Sequence, residues 1–481
     1  MTQEIEAVIG LEVHAQLSTD SKIFATSSTV VGCPPNTLTD PLTLALPGSL
    51  PVLNKLAVEF AVKLGLATGC GIARESIFAR KHYMYPDLPK GYQISQYEKP
   101  VCKSGHLEIR INGNLRTVGI TRIHLEEDAG KNVHHANRPY SSVDLNRAGV
   151  ALVEIVSEPD LRSPEEAGAY MRQIRQILRY LDISDGNMEE GSLRCDANVS
   201  VRAKGETKLG EKVEIKNLNS FKFVESALAY EIERQTALLR EGKQARQETR
   251  LWDEAKGETR VMRTKEHAQD YRYFPDPDLL PLVIDNDWIE KIRATLPELP
   301  VAVYKRFLKM YRLDEYTAEV LTQERFVAQY YDQAVSAHNN PIGIANWISS
   351  ELFGLLNKET ISIEKCPVSP ENLAALVQLI DSDVISGKIA KTVFAEMFST
   401  SATPMSIVES RGLKQVSNPE LIQKAIDEVI ASNPEQVSEY RSGKTKLFGF
   451  FVGQLMKITQ GKANPQLLND LLKISLENKK D

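Results

Sequence analysis

Hydrophobic and polar positions alternate with a period of two over three stretches, Val8 to Leu17, Gly119 to Asp128 and Leu193 to Ala203. That is the spacing of strands with one buried face. In the first, Ile9, Leu11, Val13, Ala15 and Leu17 oppose Glu12, His14 and Gln16. In the third, Leu193, Cys195, Ala197, Val199 and Val201 oppose Ser192, Arg194, Asp196, Asn198, Ser200 and Arg202. Val150 to Val156 is apolar except for Glu154 and reads as a strand covered on both faces. Val213 to Asn217 repeats the alternation with Glu214 and Lys216 on one side. At Ser163-Pro164-Glu165-Glu166, a helix start with proline in its first turn, the period changes to that of a helix. Met171, Ile174, Ile177 and Leu178 carry that helix to about Leu181, and a second is predicted over Phe221 to Arg240.

These elements predict an α+β domain over residues 1–295. The run Leu296-Pro297-Glu298-Leu299-Pro300 breaks the pattern and reads as a linker. Beyond it the chain is predicted to be helical, with turns near Pro341, Pro367–Pro370, Gly412 and Pro434. This divides it into a helical domain, 296–410, and a small helical tail, 411–481.

A chain of 481 residues is too long for one core, and 42% hydrophobic and 25% charged residues suit a soluble globular protein. The net charge of −6 excludes a chain that coats nucleic acid by bulk electrostatics. The tail from Arg411 differs, with 11 Lys/Arg against 8 Asp/Glu. Five widely spaced cysteines without a CxxC exclude a disulfide scaffold and a cysteine-built zinc site. The acidic start MTQEIEAVIG has no basic leader, and no apolar run approaches the roughly 18 residues of a membrane span, so a cytoplasmic location is expected.

Several of these stretches carry candidate chemistry. Glu12 and His14 sit about 6.5–7 Å apart on one strand face, within reach of one divalent ion or an ion pair. A solvated polar face accounts for them too. Glu126, Glu127 and Asp128 are three consecutive acids that repel unless solvent or a cation compensates. Glu154, in its apolar run, requires either an arginine or a cation. Rows of Arg, Lys, Asp and Asn on the Leu193–Ala203 and Val213–Asn217 stretches suit phosphate, because guanidinium forks and ammonium groups neutralise phosphoryl oxygens. Ser442-Gly443-Lys444-Thr445 is not a phosphate loop, since Ser438 stands where that motif needs glycine and no strand leads into it. His134-His135 reads as a solvated turn.

Taken together, IGLEVHAQL (9–17), LPGSLPVLNK (46–55), RKHYMYPDLPKGYQISQ (80–96), HLEEDAGK (124–131), DLNRAG (144–149), LVEIVSEPDLRSPEEA (152–167), MEEGSLRCDANVSVR (188–202), EIKNLNSF (214–221) and DYRYFPDPDLLPL (270–282) resemble one family, the B subunits of the heterotrimeric tRNA-dependent amidotransferases. The resemblance spans essentially the whole chain. It implies a cradle-shaped N-terminal domain similar in fold to glutamine synthetase, binding ATP and Mg2+ on a sheet face. By motif, Glu12, His14, Glu126, Glu127 and Glu154 would be metal ligands, with Glu12, His14, Glu127 and Glu154 central to catalysis. Arg194, Lys216 and Lys81 would contact phosphates. The implied reaction phosphorylates the side-chain carboxylate of Glu-tRNA(Gln) or Asp-tRNA(Asn) and replaces the phosphate with ammonia. No glutaminase constellation is present in this chain, so ammonia is expected from the family's A subunit, an amidase, with the small C subunit bracing the two. Tyr83, Tyr85, Asp87 and Lys90 would line a channel for it. Arg441, Lys444, Lys446, Lys457 and Lys462 would hold tRNA phosphates, while Phe448, Phe450 and Phe451 read as core. Many relatives carry a four-cysteine zinc site in the segment matching Ser21 to Pro47; here only Cys33 remains, so no zinc is expected.

Two other readings stand beside this one. An archaeal cousin acting on glutamyl-tRNA carries a large insertion that this chain lacks. A non-catalytic tRNA-binding protein would keep the carboxylates as structural groups. An aminoacyl-tRNA synthetase is disfavoured by the lack of HIGH and KMSKS strings.

Overall fold

The computed structural model describes residues 4–135, 139–264, 271–415, 418–459 and 462–477. Asp270, first in its motif string, lies outside them. The chain forms two compact units, residues 1–300 and 301–481.

The first unit is built on a nine-stranded sheet. Its central strands are β1 (Ile5–Gln16), β2 (Asn114–Glu127), β3 (Ala151–Ser157), β4 (Leu193–Ala203) and β5 (Val213–Leu218), and they lie side by side in the order β5-β4-β1-β3-β2. Strands Glu248–Asp253 and Glu258–Thr264 extend the β5 edge, and Cys102–Ile111 and Gly71–Ile72 extend the β2 edge. Neighbours are antiparallel except β5 with Glu248–Asp253.

Alternation decides which side of this sheet is dry. Ile9, Leu11, Val13 and Ala15 of β1 join Ile123, Leu125, Val153, Ile155, Ala197 and Val199 in one buried cluster. Helices α1 (Lys55–Ala67), α2 (Pro164–Tyr180) and α3 (Phe221–Arg240) contribute Val58, Met171, Ile174, Leu178, Val224 and Leu228 to it. Each large side chain so buried contributes about 1.5–3 kcal/mol. The helices start where their caps are. Ser163 Oγ accepts Glu166 N at 3.2 Å and Ser220 Oγ accepts Phe223 N at 3.1 Å, satisfying first-turn donors. A small sheet of Phe78–His82, Tyr92–Gln96 and Phe274–Pro275 meets the end of β2, where Gln96 Oε1 accepts Leu125 N at 3.1 Å.

In the second unit the described secondary structure is helical throughout. Helices begin at Pro341, Pro370 and Pro434, because a first-turn proline gives up only an amide that a helix leaves unpaired anyway. The tail gathers its own apolar core from Ile422, Ile426, Phe451, Leu455, Leu468 and Leu472. Among the described residues no helix is long and apolar enough to cross a membrane.

Candidate functional site

Register across the sheet aligns the polar residues. His14 of β1 is the cross-strand partner of Glu154 on β3 and of Arg194 on β4, and Glu154 is in turn the partner of His124 on β2. His124, Glu154, His14 and Arg194 therefore form one row across four adjacent strands. One step along β1, Glu12 pairs with Asp196, and Asn198 pairs with Glu214 of β5.

Two groups of ligand-type atoms result. In the first, His14 Nε2 lies 3.3 Å from Glu154 Oε2 and 3.7 Å from Glu126 Oε1. His124 Nε2 lies 3.4 Å from Glu154 Oε2 and 3.7 Å from Glu126 Oε2. All of these side chains except the partly exposed His14 are buried. Burial pulls the His14 pKa down, but Glu154 and Glu126 outweigh it and push it up to about 9. Burial raises the Glu154 carboxyl, yet His124, His14 and Lys81 hold it well below the usual carboxylate range. Glu126 is lowered likewise, chiefly by His124 after burial is counted. Burial also works against the Lys81 ammonium, which Glu126 and nearby groups nonetheless keep firmly charged; its Nζ sits 4.9 Å from the Tyr271 ring centre.

In the second group, Glu12, Asp196 and Glu214 bring ligand oxygens within 4.8 Å of one another. The Lys216 ammonium lies among them, bonded to Asp196 and 3.1 Å from Glu214 Oε1. Asn198 Nδ2 donates to Glu12 Oε1 at 3.0 Å. Burial first, then Glu154, Asp196 and Glu214, raise the Glu12 pKa. A groove of about 440 Å3 opens beside Glu12, lined by Val8, Gly10, Asn198, Leu209 and Lys212 among others.

The three consecutive acids meet three different fates. Glu126 joins the first group. Glu127, one residue on, points to the opposite face, where its carboxylate takes Lys90 Nζ at 2.7 Å and Ile94 N at 2.9 Å. The structure thus does not bring Glu127 to the ligand group in which the motif resemblance placed it; strand alternation is the reason. Asp128 returns to the polar side and binds Arg194 Nη2 at 2.8 Å and Gln16 Nε2 at 2.7 Å. The mutual repulsion expected of adjacent carboxylates does not arise, because each faces its own cations or hydrogen-bond donors.

Tyr83, Tyr85, Asp87 and Lys90 share the loop between Phe78–His82 and Tyr92–Gln96. The rings of Tyr83 and Tyr85 stack at 5.7 Å. Asp87 O accepts Gly130 N at 2.8 Å and Lys90 holds Glu127, so the loop is pinned at two points beside the end of β2. In the tail, Arg441 Nε donates to Leu476 O at 3.0 Å and Lys444 pairs with Glu439 at 2.9 Å. Lys446 and Lys457 are exposed, Lys462 half-buried. Phe451 is core, Phe448 packs against it and Phe450 is more open. Ser442-Gly443-Lys444-Thr445 connects a helix to a short 3-10 turn, and His134 and His135 bond Ser141 and Ser142 on an exposed hairpin.

The motif resemblance implies no metal-ligand role for His124, Asp196 or Glu214. The signal for His124 was present, since it shares the Glu126 face at a spacing of two, but nothing in one strand tells that Glu154 will stand beside it. Neither ligand group includes a cysteine. The segment Ser21–Pro47 is tied by Lys22, whose buried Nζ donates to Leu38 O at 2.7 Å, and by Ser27 on Asp40.

Comparison with known proteins agrees along the whole chain. The profile of the GatB/GatE catalytic domain matches residues 7–290, and that of a GatB domain matches residues 329–476. A protein of Geotalea daltonii is 58% identical, covering 98% of both chains, and one of Thermodesulfovibrio yellowstonii is 56% identical, again covering 98% of both. A third, of Geobacter sulfurreducens, is 57% identical over 97% of this chain and 98% of its own. Each is named as the B subunit of an aspartyl/glutamyl-tRNA(Asn/Gln) amidotransferase.

Proposed function

Since this chain belongs to the family of aspartyl/glutamyl-tRNA(Asn/Gln) amidotransferase B subunits, and so is one component of a ligase that works with other subunits and tRNA, we propose that the polar face of its sheet is where a tRNA-borne carboxylate is activated by ATP. The observation that carries this is the row His124-Glu154-His14-Arg194 beside Glu12-Asp196, which sets carboxylates, imidazoles and fixed cations on one face of four adjacent strands. The surrounding sheet is read as a cradle of glutamine synthetase type.

A carboxylate is a poor acyl donor. Transfer of the ATP γ-phosphoryl group to the side-chain carboxylate of Glu-tRNA(Gln) or Asp-tRNA(Asn) gives an acyl phosphate and ADP. Ammonia then attacks the acyl carbon, the C–O bond to phosphate breaks, a proton is lost, and amide and phosphate leave. His14, Glu126 and Glu154 would hold one Mg2+, and Glu12, Asp196 and Glu214 a second. A bound divalent ion neutralises charge on the phosphates. The residues fit: their oxygens and the His14 imidazole are gathered, and the Glu126 and Glu154 carboxylates are held ionised. Arg194, fixed by Asp128, and Lys216 and Lys81 supply positive charge for phosphoryl oxygens. The groove beside Glu12 accommodates the nucleoside end of ATP. The Tyr83–Lys90 loop is the proposed end of an ammonia path from the amidase, the A subunit, with the small C subunit completing the assembly in the cytoplasm. Tail residues Arg441, Lys444, Lys446, Lys457 and Lys462 give salt-sensitive contacts to tRNA phosphates.

The test is ATP turnover by the assembled enzyme on mischarged tRNA. Glu12→Ala is expected to abolish turnover while tRNA binding persists; retained turnover would leave only a tRNA-binding scaffold. Assay on both mischarged tRNAs identifies the physiological substrate.

A further inference from the structure

The small sheet that meets the end of β2 turns one face towards the carboxylates. On that face Lys81 is the cross-strand partner of Gln93, and Ala79 that of Ser95. Ser95 Oγ donates to Glu126 Oε2 at 3.2 Å, and Lys81 acts on both Glu126 and Glu154. Tyr97 follows directly after the strand Tyr92–Gln96, in step with Gln93 and Ser95. The proposed activation step makes no use of it.

Tyr97 does not stand alone. Its ring lies on that of Tyr273, with centres 4.3 Å apart and planes 9° from parallel, and Tyr271 meets Tyr273 at 6.2 Å, nearer to edge-on. Tyr271 in turn covers Lys81, whose Nζ is 4.9 Å from its ring centre. Three tyrosines linked ring to ring thus lead from Lys81 to the surface, where Tyr97 is 57% exposed. Two parallel rings offer a flat face on which another flat ring can be laid.

The substrate carries such a ring. The carboxylate to be amidated belongs to an amino acid esterified to the terminal ribose of its tRNA, so the terminal adenine travels with it. A glutamyl side chain and its ester reach only about 7 Å, roughly the length of two extended residues. The adenine must therefore rest on the rim of the site. The base of ATP has its place elsewhere: the groove beside Glu12 lies along β1 and β4, whereas the tyrosines belong with the small sheet at β2.

We infer that Tyr97, backed by Tyr273, stacks on the terminal adenine of the mischarged tRNA and so positions the aminoacyl carboxylate in the site. Aromatic side chains hold unpaired bases in this way, whatever their edges present. The inference rests on the reading of this face as the place of activation and adds the residue that presents the substrate to it.

The probe is tRNA with 2-aminopurine in place of its terminal adenine, a base whose emission falls when it stacks. Binding to the unaltered, assembled enzyme is expected to quench it several-fold, and this measurement needs no variant. Tyr97→Ala should restore most of the emission at saturating tRNA. It should also raise the KM for mischarged tRNA about five- to a hundredfold, with kcat and the KM for ATP changed less than about threefold. Tyr97→Trp and Tyr97→Phe should keep both the quench and the low KM. Unquenched emission on the unaltered enzyme, or a quench that survives Tyr97→Ala, overturns the inference while tRNA-dependent ATP turnover keeps the activation reading standing. A raised KM for ATP with that for tRNA unmoved would give Tyr97 to the nucleotide and overturns it likewise. Failure of the activation reading shows separately, as turnover retained by Glu12→Ala.

Discussion

The two acidic groups on the sheet are neighbours with similar inventories and different internal cations. Around Glu126 and Glu154 the facing groups are the imidazoles of His14 and His124, with Arg122 3.9 Å from Glu154 and Lys81 further off. Around Glu12, Asp196 and Glu214 the facing cation is the Lys216 ammonium. An imidazolium can lose its proton and become a ligand through the same nitrogen, while an ammonium at neutral pH can only move away. Under the proposed function the first group would exchange a proton for a metal ion in place. The second would have to release the Lys216 side chain, which would then be free to meet a phosphoryl oxygen.

The largest expected effect separates the groups by activity. Glu154→Gln, which removes the oxygen shared by both histidines, should lower tRNA-dependent ATP turnover by about 10³ or more, whereas Glu214→Gln should cost about 10–100-fold; equal losses would erase the distinction.

Next comes Lys216→Met. Removing the ammonium leaves three carboxylates facing one another, so the metal-free chain should lose about 1–3 kcal/mol, less than for a fully buried pair because Lys216 is 29% exposed. Mg2+ should restore much of that loss in a thermal melt. A melt insensitive to Mg2+ would mean that the second group binds no ion.

The pH response distinguishes them again. The folded-state pKa of His14, about 9, lies above the ordinary 6.5. Its contribution is therefore fully present below about 6.5 and is lost as pH rises towards 9, on the order of 1–3 kcal/mol. The depressed Glu126 and Glu154 act in the opposite sense, their contribution being lost only in acid. Metal-free chain should accordingly weaken between about pH 6.5 and 9, and His14→Gln should flatten that slope. Lys216→Met should not.

The smallest effect concerns the hydrogen bond from Asn198 to Glu12. Asn198→Ala should raise the KM for ATP about two- to fivefold with kcat nearly unchanged, consistent with loss of roughly 1 kcal/mol. A kcat effect as large as that of Glu154→Gln would move Asn198 into the chemistry itself.

Much of this was readable in one dimension because alternation and helical period are local properties of a chain. They determined that Glu12, His14 and Gln16 share one face of their strand, that Arg194, Asp196 and Asn198 share one face of theirs, that Glu154 needs a partner, and that helices start at Ser163-Pro164 and near Phe221. Motif strings added the family. What tertiary structure alone decided is which strands lie side by side and in what register. A shift of one residue in β2 would exchange Glu126 for Glu127 at the site, because consecutive side chains leave opposite faces. Likewise His124 meets Glu154 only because β2 pairs with β3, a contact between residues 30 apart with no trace in either strand's own pattern. Burial against α1, α2 and α3 favours this register, since slipping it would turn Ile123 and Leu125 out to water and Glu126 into the core.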